Sequence, residues 1–135
     1  MTRVILDTNI LVSAGITADG DCARILQAAL RGEFRIRVCP SVVAEYLDVL
    51  NRSKFTRYGF PPPWVRRLLV LADQLPVDPE DLPEGPDPDD RVFLALAQAG
   101  GILVTGNLKH FPEPLRGNAE VMSPGAFLGR LERGI

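Results

Sequence analysis

Two short stretches carry almost nothing but branched apolar side chains: Val4 to Leu6, which stops at Asp7, and Ile102 to Thr105, which stops at the Gly106-Asn107 turn. A strand with one face in water alternates apolar and polar residues, so continuous runs of this kind belong to strands covered on both faces, the habit of parallel sheets. Parallel strands cannot be joined by tight hairpins and need crossovers, usually helical. The chain is therefore expected to alternate strands with helices.

The intervening segments supply those elements. Ala23 to Leu30 place apolar residues at helical spacing, and Gly32 follows as a C-cap. Arg35 to Cys39 alternate as a second strand, and from Pro40 a segment with Val42, Val43, Tyr46, Leu47 and Leu50 at helical intervals carries Glu45. Pro61, Pro62 and Pro63 break the chain before a helical run from Trp64 to about Gln74, and Leu75 to Val77 suit another short strand. Asp78 to Asp90 are too polar for a core element and read as a surface loop. Asp87 then suits a helix cap, Pro88 the first turn, and Asp89 and Asp90 the positive helix end, ahead of the apolar run Val92 to Ala99. Gly100 and Gly101 stop that helix; Ala119 to Met122 suit a fifth strand, and Ser123 with Pro124 start a final helix through Phe127, Leu128 and Leu131. The predicted fold class is α/β: one domain over residues 1–135, a three-layer α/β/α arrangement with a central, mostly parallel sheet.

Composition narrows the function classes. The net charge of −2 and pI near 5.4 give no basic footprint for nucleic acid, unless bound cations supply the charge that meets phosphate. Cys22 and Cys39 lack the paired spacing of a zinc or redox motif, which fits a reducing cytoplasm. No apolar run approaches a membrane span and no cleavable leader is apparent, so a cytoplasmic protein without membrane attachment is expected.

In doubly wound sheets ligands bind beyond the carboxyl ends of the strands. At that edge fall Asp7 after the first strand, Glu45 after the second, Asp90 at the start of the apolar helix, and Asn107 after the fourth strand. Grouped carboxylates repel one another and either share protons or bind a hard cation through oxygen. Mg²⁺ or Mn²⁺ there would orient a phosphodiester, acidify a water and offset developing charge, so no side-chain nucleophile is required. A chain with one histidine and no Ser-His-Asp or Cys-His order fits that chemistry.

The segments DTNILVSA from Asp7, PSVVAEYLDVL with Glu45, DPDDRVFLALA with Asp90 and LVTGN from Leu103 together resemble the PIN-domain nucleases, over nearly the whole chain. The LKHFP after Asn107 and the closing MSPGAFL look like the branch that forms the toxins of toxin-antitoxin pairs. The resemblance implies a metal-dependent endoribonuclease leaving a 5′-phosphate and a 3′-hydroxyl, with Asp7, Glu45 and Asp90 as metal-coordinating catalytic residues. Thr8 and Thr105 would brace the site's loops, and Asn9 would fix the turn after the first strand. It further implies an antitoxin partner that blocks the cleft, and often a homodimer. Asn107 stands where many PIN domains carry a fourth acid; its amide oxygen can still serve Mg²⁺ or its water shell, but with less charge for a second metal.

Simpler readings compete at each position. Helix capping accounts for Asp7 and Asp87, an exposed helix face for Glu45, and an ordinary loop for Lys109 and His110, unless their turn faces the cleft and meets phosphate. Aromatic Tyr58, Phe60 and Trp64 are more naturally core anchors than base-stacking platforms. Arg52, Lys54, Arg57, Arg66 and Arg67 form either an RNA track or a charged helix face. Two other functions stay open at this stage: an RNA- or protein-binding module whose catalysis has lapsed, and an aspartyl-nucleophile phosphohydrolase, against which Asn9 stands where a second aspartate is wanted.

Overall fold

The computed structural model describes residues 2–83 and 87–134. Five strands, β1 (Arg3–Leu6), β2 (Arg35–Val38), β3 (Asp73–Gln74), β4 (Ile102–Val104) and β5 (Glu120–Met122), form one sheet in the order β3-β2-β1-β4-β5. Every neighbouring pair is parallel, with Val4 opposite both Ile36 and Ile102, and Leu6 opposite Val104. Helices α1 (Thr8–Ile16), α2 (Asp21–Leu30), α3 (Pro40–Leu50), α4 (Val65–Leu71), α5 (Pro88–Gln98) and α6 (Pro124–Glu132) flank it, giving the expected three-layer α/β/α fold.

The uninterrupted apolar runs are the buried centre. Val4, Ile5, Leu6, Leu103 and Val104 have no exposed surface, and α5 packs over β1 and β4 with Phe93, Leu94, Leu96 and Ala97. Burying each such side chain contributes roughly 1.5–3 kcal/mol, which is why β1 and β4 sit in the middle and the more polar β3 and β5 at the edges. Gly100 and Gly101 make the entry to β4 for different reasons. Gly100 has φ +112°, a conformation that side chains other than glycine's rarely adopt, whereas a Cβ on Gly101 would lie 2.5 Å from Cδ1 of Ile5.

Two local expectations shift. The segment after Asp7 is a nine-residue helix, α1, which the Asp7 side chain does not cap; the consecutive apolar residues of TNILVSAGI leave no periodicity to mark its bounds. The third strand lies at Asp73–Gln74 instead of Leu75 to Val77, and the preceding helix ends at Leu71. Pro76 has no N–H to give a ladder, while Asp73 is held at the sheet by Arg3 and Arg37 at 3.1 and 3.0 Å. Among the described residues no helix is long and apolar enough to cross a membrane.

From β1 the chain moves outward to β2 and β3, then returns across β1 to β4 and β5. The sheet order therefore reverses between β1 and β4, and a crevice opens beyond their carboxyl ends.

Candidate active site

Asp7 is the first residue beyond β1, and its carbonyl accepts the N–H of Ile10 at 2.9 Å as α1 begins. Only 6% of the residue is exposed. The Thr105 hydroxyl, one residue beyond β4, donates to its Oδ2 at 2.7 Å. Burial raises the Asp7 pKa above the ordinary carboxylate value; the Thr105 hydrogen bond and the N–H of Thr8 pull it partly back.

Glu45 arrives from α3, whose Pro40 occupies the first turn. Two contacts fix that helix against β1. Tyr46, wholly buried, donates its hydroxyl to the carbonyl of Leu6, and the buried Thr8 hydroxyl donates to Oε2 of Glu45. Desolvation raises the Glu45 pKa, Thr8 opposes it, and the charges of Asp89, Asp7 and Asp90 raise it further. Glu45 is thus a half-buried acid facing other acids, not a solvated one on an outer helix face.

Asp90 stands in the first turn of α5. Asp87 caps the helix, accepting the N–H of Asp89 at 3.0 Å. Asp89 is exposed; Asp90 is 8% exposed. Burial first, then the charge of Asp7, lifts the Asp90 pKa to about 6, against a smaller lowering by His110. Its Oδ2 lies 3.1 Å from Nδ1 of His110, and among the described residues that buried oxygen accepts no well-formed hydrogen bond.

Asp7, Thr8, Asn9, Glu45 and Asp90 all line one cavity of about 290 Å³, whose wall also includes the exposed acids Asp87 and Asp89. Thr105 lies beneath it, fully buried, accepting the N–H of Asn107 at 3.0 Å while it donates to Asp7. Asn107 is linked to the site through that backbone bond, and its side chain is not part of the cavity wall. A larger cavity of about 480 Å³, between Leu47, Pro61, Val65 and Val70, holds Arg66 as its one charged residue and has no acid or nucleophile to offer.

Among the described residues no three acids, histidines or cysteines already converge tightly enough to form a ready coordination sphere. The donor chemistry nevertheless fits a hard cation. Burial disfavours the ionised forms of Asp7, Glu45 and Asp90, neighbouring carboxylates add to this at Glu45 and Asp90, and a divalent ion would satisfy the Asp90 Oδ2, which among the described residues meets only His110.

Sequence reasoning gave no fixed place in this cleft to His110, Arg52, Lys54 and Phe55, although it weighed Arg52 and Lys54 as part of an RNA track. His110 reaches Asp90 because the 3₁₀ turn Leu108–His110 folds the chain back after Asn107. Arg52, Lys54 and Phe55, just beyond the end of α3, form another part of the wall beside Glu45 and Val49. The basic stretch is thereby divided: Arg57 stacks on Tyr58 with its guanidinium 4.8 Å from the ring centre, Arg66 faces the apolar cavity, and exposed Arg67 lines neither. Phe60 is a core residue, as expected, and Trp64 packs partly buried against the core.

No curated protein matches the chain. The family model of the PIN domain matches residues 3–109, a span that holds β1, α3, α5 and β4 and with them every carboxylate of the cleft. PIN domains are typically nucleases, and with a match over most of its length this chain belongs to the PIN-domain family.

Proposed function

We propose that this single-domain PIN protein is a metal-dependent endoribonuclease and the toxin of a toxin-antitoxin pair, with Asp7, Glu45 and Asp90 as the ligands of Mg²⁺ or Mn²⁺. The observation that carries the reading is the convergence of three carboxylates, from three distant chain segments, on one cleft at the sheet's switch point. When bound, the cation orients the phosphodiester, acidifies a water and offsets charge on the leaving oxygen.

The chain's own groups set up that chemistry. Thr105 and Thr8 each donate one hydrogen bond to an acid, which fixes the carboxylates before any ion arrives. Tyr46 ties the helix bearing Glu45 to the end of the strand bearing Asp7. Asn9 stands at the cleft mouth in the first turn of α1, where an amide can hydrogen-bond substrate. Asn107, whose side chain does not line the cavity, would serve an ion through its water shell. The closing MSPGAFL and the LKHFP segment support the toxin assignment, and with it an antitoxin partner, an RNA substrate, a homodimer and work in the cytoplasm.

The direct test incubates purified protein with defined structured RNAs in Mg²⁺, Mn²⁺ or EDTA, beside Asp7→Asn and Asp90→Asn. Metal-dependent cutting with 5′-phosphate ends, lost in both variants, is expected. Survival of RNA on expression of the chain, with no small neighbouring protein able to bind it, removes the toxin role.

Two observations favour a second reading, a lapsed RNA- or protein-binding module: the acids do not form a ready coordination sphere among the described residues, and Asn107 stands where many PIN domains carry a fourth acid. It predicts RNA binding without turnover, and turnover abolished by Asp7→Asn sinks it.

A further inference from the structure

We propose that Arg52 and Lys54 are phosphate-binding residues, which seat a single strand of nucleic acid across the cleft by contacting phosphates next to the one held over Asp7, Glu45 and Asp90. The inference rests on the nuclease reading of that cleft. Of the 15 Lys and Arg residues of the chain, these two are the ones that line the acid cavity.

Their position follows from α3. Glu45 and Val49 lie one helical turn apart on the same face, and both line the cavity. Asn51 ends the helix, and the 3₁₀ turn Ser53–Tyr58 then turns Lys54 and Phe55 back to the same wall. From Glu45 to Arg52 the helix axis advances on the order of 10 Å. The cations therefore stand beside the acids without neutralising them, since neither forms an ion pair with Asp7, Glu45 or Asp90 among the described residues. An acidic floor with a cationic flank attracts a polyanion to one side and leaves the carboxylates available.

The partners these cations do have are easily exchanged. Arg52 meets Asp48 at 3.2 Å in an exposed pair one turn apart, an arrangement that contributes little stability. Lys54 lies 5.1 Å from the centre of the Phe55 ring, and Phe55 in turn packs on Phe60 at 5.3 Å between ring centres. That packing holds the turn in place while the ammonium stays in solvent. A phosphate can recruit both groups at small cost, and Arg52 offers a planar fork suited to two phosphate oxygens.

Binding and cleavage are tested separately. Anisotropy of a labelled 12-mer oligouridylate is followed across a salt series, using the cleavage-silent Asp7→Asn chain as parent and adding Arg52→Ala, Lys54→Ala or Arg67→Ala. Each lost phosphate contact lowers the slope of log affinity against log salt by about 0.7 for a single strand. The expected result is a slope lower by that amount and a three- to tenfold weaker affinity for Arg52→Ala and for Lys54→Ala, none for Arg67→Ala, and recovery in Lys54→Arg. In the active background KM rises with kcat retained. Slopes unchanged by both alanine variants, or a parent that binds no oligonucleotide at low salt, overturn the proposal. Binding that follows the expected pattern in a chain that cuts no RNA overturns the nuclease reading instead and leaves the phosphate contacts standing.

Discussion

The hydroxyl of Thr105 donates to Oδ2 of Asp7 across 2.7 Å, joining residues 98 positions apart at the ends of the two central strands. Thr105 is fully buried and also accepts the N–H of Asn107, so its proton is committed to Asp7. The site's most buried acid is thus positioned by the sheet itself.

Thr105→Val keeps the shape and removes that donor. A hydrogen bond to a charged group contributes about 1.5–3 kcal/mol, so the variant should lose stability of that order near neutral pH. Because the bond lowers the Asp7 pKa, its loss raises that pKa and moves the acid limb of the RNA-cleavage profile to higher pH. Urea unfolding and a pH-rate profile check the two effects; a profile that stays in place refutes the link between Thr105 and Asp7.

Asp90 gives a prediction of opposite sign. Its folded-state pKa of about 6 lies above the ordinary 3.8, so the folded chain holds this proton more tightly than the unfolded chain. The resulting stabilisation is complete below pH 3.8 and is lost as pH rises through 6. In EDTA the protein should therefore be less stable at pH 7.5 than at pH 5 from this group. Asp90→Asn should stabilise the metal-free chain at pH 7.5 by about 1–2 kcal/mol, discounting the shift for solvent at the cleft mouth. Denaturant midpoints measured at both pH values would show it, and a destabilised Asp90→Asn contradicts it.

Mg²⁺ or Mn²⁺ should reverse that penalty. A cation at 100 times its dissociation constant stabilises by about 2.7 kcal/mol, a rise of several degrees in Tm for a domain of this size. Thermal melts in EDTA and in each metal should display the rise for the unmodified protein and its absence for Asp7→Asn. Equal rises in both proteins would place the ion elsewhere.

Tyr46→Phe tests the tie between α3 and β1. The ring is wholly buried beside Phe93, with 6.3 Å between centres, and its hydroxyl serves the Leu6 carbonyl. Removing the hydroxyl leaves that acceptor without its donor and should cost about 1–3 kcal/mol. RNA cleavage should fall along with stability, because Glu45 sits on the next residue; unchanged cleavage would show that Thr8 alone orients Glu45.

The sequence by itself determined the layers and the ends of the central elements. The branched apolar runs of β1 and β4 suit buried strands, and the Asp87-Pro88 start and the Gly100-Gly101 stop bracket α5, because capping and glycine conformation are local effects that neighbours along the chain decide. It also placed Asp7, Glu45, Asp90 and Asn107 at one edge. What it left open depended on groups far apart in the chain. Glu45 looks like any helical glutamate until Thr8 and the Tyr46–Leu6 contact turn it toward the acids, and only the register of α5 on the sheet separates buried Asp90 from exposed Asp89. Helix α1 was hidden because its apolar residues run consecutively and leave no clear period, although Asn9, Ser13 and Ile16 form an exposed face. His110, Arg52 and Lys54 joined the cleft through turns whose direction no local pattern encodes, while Arg66 and Arg67, in the same basic stretch, were carried away from it. Local propensity is set by adjacent residues; convergence is set by packing.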